Sequence, residues 1–146
     1  MNVEIRLQEG CPEPHVILVA DHMTQELEAL VNLLRQGQRT VTGFRGSQAV
    51  LLDPRDILRL YASQGKVFAT LAGGDEYVVK ARLYELEARL GTERFARISN
   101  SELVNLGHVK SFDLSLSGTI RVTLCDGQTA YVSRRYVGRI KELLGI

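Results

Sequence analysis

The stretch Phe95-Ala-Arg-Ile-Ser-Asn-Ser-Glu-Leu-Val-Asn-Leu-Gly-His-Val-Lys110 decides the fold of this chain. Its apolar residues are interleaved with Ser99, Asn100, Ser101 and Asn105. Ser and Asn side chains hydrogen-bond neighbouring backbone groups, so they favour bends over regular ladders. The same side chains can donate to phosphates and pair with base edges. We therefore expect the apolar residues to enter a core, and the polar residues to form a bend that can contact a nucleic acid.

Short strands separated by Gly-containing turns surround this stretch. They are predicted at 41–45, 48–52, 57–61, 67–71, 76–80, 109–114, 119–125 and 128–132. Asp126-Gly127 predicts a type I′ hairpin turn, which needs positive φ at both central positions. Short helices are predicted over 83–90 and after Ser133, which we expect to cap the last helix. The predicted fold class is therefore α+β and predominantly antiparallel β.

Residues 1–40 are predicted to form a separate N-terminal extension. Apolar residues alternate in Asn2–Leu7, and His15–Ala20 is almost wholly apolar, so both segments predict strands. A stripe of apolar residues at helical spacing follows, from Met23 to Leu34. This interpretation divides the chain into a β-β-α extension at 1–40, a candidate for dimerisation or regulation, and a domain at 41–146. The stripe either packs on its own two strands or forms a dimer interface.

The charge of the chain is unevenly divided between these two parts. The net charge of +1 combines −3 over residues 1–40 with +4 over residues 41–146. An acidic front and a basic back fit a nucleic-acid module that carries an appended segment. The 45% hydrophobic content predicts a folded core. No apolar run is long enough to span a membrane, and we expect a cytoplasmic protein.

Sequence patterns typical of enzymes and metal sites are missing from the chain. There is no Walker A loop, GxGxxG or GxSxG motif. Cys11 and Cys125 lie far apart without metal-ligand spacing, and the three His residues form no zinc motif. We therefore expect two reduced thiols, no metal, no cofactor and no enzymatic activity.

The pattern Phe-x-Arg-Ile-x-Asn-Ser-x-x-Val-Asn-x-x-x-Val within the opening stretch closely resembles the central signature of the LytTR family of DNA-binding domains. The run Tyr131-Val-Ser-Arg-Arg-Tyr-Val137 agrees with that resemblance, which extends from roughly residue 45 to the C-terminus. The resemblance implies an elongated β fold that presents loops, rather than a recognition helix, to successive major grooves. It also implies a sequence-specific, double-stranded DNA-binding transcriptional regulator.

The resemblance also implies which residues contact DNA. Asn100 and Ser101 match the family's polar pair at the DNA-facing edge, and Arg135 aligns with its functional Arg. The implied DNA-binding residues are Asn100, Ser101, Arg135, Arg134, Lys66, Gln64 and Ser99. In the Ser63–Lys66 loop, Lys66 is expected to contact phosphate and Gln64 to read adenine.

Two positions depart from the family pattern. Many members carry His where this chain has Ser99, and an aromatic residue is common where it has Glu102. A carboxylate beside phosphates is repelled, so Glu102 must point aside, cap the next turn or accept from a cytosine amino group. Asn105 belongs to the signature and is expected to make a structural backbone bond.

Resemblance to short family members without a receiver domain suggests the partners. We expect a homodimer on repeated half-sites and, by analogy only, a small membrane protein that restrains it. An RNA-binding β module is an alternative, weakened because the sequence shows no cluster of aromatics for stacking bases. A protein-interaction adapter that uses the Met23–Leu34 stripe is the other alternative.

Overall fold

The computed structural model describes residues 1–11, 15–36, 40–91 and 94–146. Ten strands and three helices are formed within these ranges, with short 3-10 turns before the third and eighth strands. In chain order they are α1 (Gln25–Gln36), β1 (Val41–Arg45), β2 (Gln48–Leu52), β3 (Ile57–Ser63), β4 (Lys66–Leu71), β5 (Glu76–Val79), α2 (Leu83–Leu90), β6 (Phe95–Ser99), β7 (Glu102–Asn105), β8 (Val109–Asp113), β9 (Ile120–Leu124), β10 (Thr129–Val132) and α3 (Arg134–Leu144). The predicted fold class, an antiparallel β fold with short helices, is confirmed.

A seven-stranded sheet forms the larger layer, with the strand order β2-β1-β5-β4-β3-β7-β6. Every pairing in it is antiparallel. One face packs against α2, where Leu83 and Leu86 meet Leu60 on β3 and Leu103 on β7. Burial of these apolar side chains stabilises this half of the molecule.

The second sheet has the order β10-β9-β8 and builds a second core with α3. Ile98 on β6 and Val104 on β7 face this core, together with Ile140 on α3. A register shift between Ile57 and Arg59 lets β3 place Leu58 in the second core as well. A bulge turns a side chain to the other face of its sheet, so β3 serves both cores.

The Asn105 side chain connects β7 to the backbone before and within β3. Its side chain is fully buried, and its amide nitrogen donates to the carbonyl oxygens of Ile57 (2.8 Å) and Pro54 (3.2 Å). Its side-chain oxygen accepts from the Gly107 N–H at 2.9 Å. A buried amide is tolerated because its hydrogen bonds are made. The predicted structural role of Asn105 is confirmed.

The hairpin turns differ from the prediction. Gly127 has φ +90° but Asp126 does not have positive φ, so Asp126-Gly127 is not a type I′ turn. The Leu124 N–H donates to the Gln128 carbonyl oxygen at 2.8 Å, which leaves a three-residue loop with Gly127 in the left-handed region. A two-residue hairpin turn with positive φ at both central residues occurs instead between β3 and β4, at Gln64 (+53°) and Gly65 (+75°).

The N-terminal extension also differs from the prediction. Asn2–Leu7 and His15–Ala20 are not paired as strands, and Leu7 and Val19 are 96% and 93% exposed. The β-β-α expectation is therefore wrong for the single chain. A strand requires a hydrogen-bonded neighbour, and the described part of the chain offers these segments none. Helix α1 forms as predicted.

The apolar stripe of α1 is only partly covered. Leu27, Leu30 and Val31 are half-buried, whereas Met23 is 65% exposed and Leu34 41%. The stripe therefore does not pack on two strands of its own chain.

None of the helices in the described residues is long and apolar enough to cross a membrane.

Candidate nucleic-acid interface

Three segments that are distant in sequence meet at one end of the fold. The Ala62 N–H donates to the Ser101 carbonyl oxygen at 2.8 Å, which places the β3–β4 turn beside the β6–β7 turn. The Ser133 N–H donates to the Ile98 carbonyl oxygen at 2.8 Å, which places the start of α3 beside the same turn. We call these segments, Gln64–Lys66, Ser99–Ser101 and Ser133–Tyr136, the loop surface.

The Arg97 side chain stabilises the β6–β7 turn by hydrogen bonds to its backbone. Its Nε donates to the Ser99 carbonyl oxygen at 2.8 Å, and its Nη2 donates to the Asn100 carbonyl oxygen at 3.0 Å. The Ser99 hydroxyl accepts from the Ser101 N–H at 3.2 Å. Glu87 on α2 lies 3.6 Å from the Arg97 guanidinium on the other side. The turn therefore has a defined shape before any ligand binds.

Asn100 is exposed at the tip of this turn, and α3 contacts its side chain. The Tyr136 hydroxyl donates to the Asn100 Oδ1 atom at 3.0 Å. The Tyr136 ring packs against the second core. The first turn of α3 thus supplies both exposed arginines and an anchor for the polar turn.

Glu102 points aside from the loop surface. Its Oε2 atom lies 3.7 Å from Arg59 Nη1, and both side chains are largely buried. Burial raises the pKa of the Glu102 carboxyl above its usual range, and the charge of Arg59 opposes that shift. Arg59 also lies over the Tyr61 ring, 4.7 Å from the ring centroid. The carboxylate is therefore paired within the sheet and does not project from the turn.

The β3–β4 turn carries local backbone strain. Gln64 is the only residue other than Gly with positive φ in the described ranges. Side chains with a Cβ rarely adopt this conformation, and residues that do so are often found at functional sites. Lys66 follows the turn, is exposed, and makes no ion pair with a described residue.

Arg134 and Arg135 are exposed at the start of α3 and form no ion pair with a described residue. The Arg134 guanidinium lies against the turn at Gly118, where a Cβ atom added to the glycine would be 3.5 Å from its Nη2 atom. The predicted Ser133 cap is wrong in one respect: Ser133 occupies the cap position, but its side chain makes no capping bond. No acidic residue offsets the arginines in the first turn. Two cations at a helix N-terminus are unfavourable for the helix dipole, and a bound anion removes that cost.

A family model for the LytTr DNA-binding domain matches residues 47–145. The chain belongs to the LytTR family of DNA-binding domains. The match lies within the region 41–146 and includes the positions of all the predicted DNA-binding residues, and the resemblance found in the opening stretch is confirmed.

Full-length relatives and a solved structure agree with the LytTR assignment. An uncharacterised HTH-type transcriptional regulator from Staphylococcus aureus strain MSSA476 is 30% identical over all of this chain and 98% of its own length. A similar regulator from strain NCTC 8325 is 28% identical over all of this chain and 99% of its own length. The LytTr DNA-binding domain of a methyl-accepting/DNA response regulator from Bacillus cereus has the same fold, with a TM-score of 0.70. It is 23% identical and covers 74% of this chain and 98% of its own.

The structure adds residues to the LytTR interface that sequence reasoning did not assign a role. Arg97 and Tyr136 both lie within the quoted motifs, and that position was the only available signal. Their roles depend on the contact between α3 and the β6–β7 turn, which no sequence pattern indicates.

A further contact between residues distant in sequence joins Cys125 Sγ to His108 Nδ1 at 3.5 Å, on the side of the fold away from the loop surface. No group of three potential metal ligands is present in the described part of the chain.

Proposed function

We propose that this LytTR protein is a transcriptional regulator that binds specific double-stranded DNA through the loop surface. One observation carries the proposal. Three segments converge so that the exposed side chains of Gln64 and Asn100 lie among Lys66, Arg134 and Arg135, three cations that form no ion pair with a described residue. Cations supply affinity for phosphate, and oriented amide groups supply base recognition.

The residues of the loop surface have distinct roles in this proposal. Lys66 and Arg134 contact phosphates, and Arg135 forks onto a base edge. Asn100, Gln64, Ser99 and Ser101 supply hydrogen bonds to bases or the backbone. Helices α2 and α3 are separated by five strands, so this part of the chain does not contain the adjacent helices of a helix-turn-helix. Loops are then the elements that enter the grooves.

Tyr61 and Phe68, on the strands that flank the β3–β4 turn, are engaged with other groups, which favours duplex DNA over single-stranded RNA. Tyr61 and Phe68 stack on each other with ring centroids 5.3 Å apart, and the Tyr61 hydroxyl donates to Glu76 at 2.6 Å. Rings that are occupied in this way are poor platforms for unpaired bases. The LytTR family is not normally enzymatic, and we propose that the protein acts in the cytoplasm, on DNA.

The N-terminal extension is proposed to join two copies into a homodimer on repeated half-sites. Arg6 Nε lies 2.8 Å from Glu4 Oε1, so these two side chains project to one side of the segment. Antiparallel pairing of two copies about Ile5 sets Glu4 of each copy opposite Arg6 of the other, and Val3 opposite Leu7. Opposite charges and apolar pairs across strands are both stabilising, and a two-fold pairing uses the same patch on both copies.

Replacing one arginine and one lysine tests the proposal. Arg135→Ala should weaken binding to an operator selected from random duplexes by ~1–3 kcal/mol, with little effect on unrelated duplexes. Lys66→Ala should weaken both kinds of duplex equally and reduce the salt slope by ~1. Gel shifts at several salt concentrations, with single-stranded competitors, measure both effects.

Lys110→Ala is the matched control, because Lys110 is also an exposed lysine without an ion pair to a described residue but lies on β8 away from the loop surface. It should leave affinity and salt slope unchanged. A folded Arg135→Ala protein that keeps its full operator affinity would show that Arg135 does not read this DNA.

A further inference from the structure

The hydrogen bond between Tyr136 and Asn100 restricts what Asn100 can recognise. An unrestrained Asn amide can rotate by about half a turn and offer either its NH₂ donor or its oxygen acceptor to a ligand. In this protein the Tyr136 hydroxyl donates to Oδ1 at 3.0 Å. The oxygen is therefore held toward α3. The amide nitrogen has no hydrogen-bond partner among the described residues, and the residue is exposed, so the nitrogen is accessible to a ligand.

Both partners of this hydrogen bond are held in place by other contacts. The Tyr136 ring packs on the second core, and the Arg139 guanidinium lies over the ring, 5.9 Å from its centroid. The backbone N–H of Tyr136 donates to the Ser133 carbonyl oxygen at 2.8 Å. The Asn100 backbone is fixed by the Arg97 guanidinium at 3.0 Å. A recognition group that is held by surrounding contacts in this way keeps its geometry on binding.

We propose that Tyr136 is a positioning residue that sets Asn100 to act as a hydrogen-bond donor toward DNA. The inference rests on the proposed function, in which Asn100 contacts a base. With the nitrogen outward, Asn100 favours a base that offers an acceptor, such as the N7 and O6 atoms of guanine, N7 of adenine or O4 of thymine. It discriminates against cytosine, because the major-groove edge of cytosine offers only the N4 donor.

The predicted consequence of losing the hydroxyl is a change of specificity rather than a loss of binding. In Tyr136→Phe the ring still fills its place against the core, but the Asn100 amide is free to rotate. Its oxygen can then accept from cytosine N4. Affinity for nonspecific duplex should not change, since no phosphate contact is removed. A merely structural role for Tyr136 would instead weaken all duplexes together.

The experiment measures binding of the full chain to operator variants. Asn100→Ala first identifies the base pair that Asn100 reads, as the position whose preference it removes. At that position, Tyr136→Phe should reduce the discrimination against cytosine by about five- to tenfold, the size of one oriented hydrogen bond. Adding Tyr136→Phe to Asn100→Ala should change nothing further, since the hydroxyl acts through Asn100.

Tyr131→Phe is the control, because Tyr131 is 56% exposed on β10 and its hydroxyl makes no hydrogen bond with a described residue. It should leave the preference intact. Thermal unfolding checks that each variant is folded. If Asn100→Ala removes a base preference and Tyr136→Phe leaves it intact, the positioning role is wrong and the proposed interface stands. If Asn100→Ala itself leaves all preferences and affinity unchanged, both proposals fail.

Discussion

Gln64 has a backbone conformation that lowers the stability of the protein. Its φ of +53° is in the left-handed region, where a residue with a Cβ is strained by roughly 1–2 kcal/mol. Gly would adopt the same turn without that cost. The strained residue lies in the loop surface, and its side chain is exposed. We infer that the amide of Gln64 is retained for contact with DNA.

Replacing Gln64 separates these two effects. Gln64→Gly should raise the free energy of unfolding by ~0.5–1 kcal/mol, because relief of strain exceeds the added entropy of the unfolded chain. It should also weaken operator binding, since the side chain is gone. Gln64→Ala removes the same amide but keeps the strain, so it should weaken binding without adding stability. Urea unfolding and gel shifts measure the two quantities. If the Gln64→Ala protein were more stable than the Gln64→Gly protein, backbone strain at this position would be excluded.

At the scale of elements, strand β1 approaches its neighbours closely at Gly43. A Cβ atom at this position would lie 2.7 Å from Tyr77 Cβ and 2.8 Å from Leu52 Cδ1. These distances are shorter than van der Waals contact. The glycine is thus needed for packing rather than for an unusual backbone angle. By contrast, Gly138 within α3 has no atom within 4 Å of its position for a Cβ.

These two glycines give opposite predictions for one substitution. Gly43→Ala should lower the free energy of unfolding by ~1–3 kcal/mol, because the sheet must shift to accept the methyl group. Gly138→Ala should raise it by ~0.5–1 kcal/mol, because Ala favours the helix and meets no obstacle. Urea unfolding of both variants measures these changes. An unchanged midpoint for Gly43→Ala would show that Tyr77 and Leu52 move aside freely.

At the scale of the whole molecule, the first segment of the N-terminal extension exposes its apolar side chains. Val3, Ile5 and Leu7 are each more than 80% exposed. An apolar surface of this kind is typical of a protein interface. The family model for the LytTr domain matches residues 47–145, so this segment lies outside the matched region.

Deleting residues 1–39 tests whether the extension joins two copies. The truncated protein should be a folded monomer that still binds one half-site. Binding to two half-sites should lose cooperativity, because the second contact is no longer intramolecular. Sedimentation and binding to single and paired half-sites measure both properties. Glu4→Arg provides a second measurement, since it places like charges across the proposed pairing and should weaken the dimer, whereas Glu4→Arg combined with Arg6→Glu should restore it.

Two outcomes would contradict this assignment. A truncated protein that remains dimeric and cooperative would locate the contact in the domain. Failure of the truncated protein to fold would mean that α1 belongs to the core of the domain.

Much of this fold follows from the sequence because its signals are local. Short apolar segments separated by Gly-containing turns predicted β1 through β5 and β8 through β10 within a few residues, and the spacing of Leu83, Leu86 and Leu90 predicted α2. The motif between Phe95 and Lys110 was sufficient to indicate the LytTR family. The structural backbone bond of Asn105, a residue of the signature, was also predicted.

The remaining features depend on contacts between distant residues. Alternation in Asn2–Leu7 and the almost wholly apolar His15–Ala20 predicted strands, but a strand needs a neighbour, and the single chain supplies none in its described part. The two-residue turn with positive φ at both positions lies at Gln64-Gly65 rather than at Asp126-Gly127, because the pairing of β9 with β10 closes a three-residue loop between Leu124 and Gln128. Only the packing of α3 against β6 brings Tyr136 to Asn100, 36 positions away along the chain. The sequence by itself therefore determined the elements and the family. The tertiary structure decided which side chains meet, because hydrogen bonds between loops depend on distances in space that no local pattern encodes.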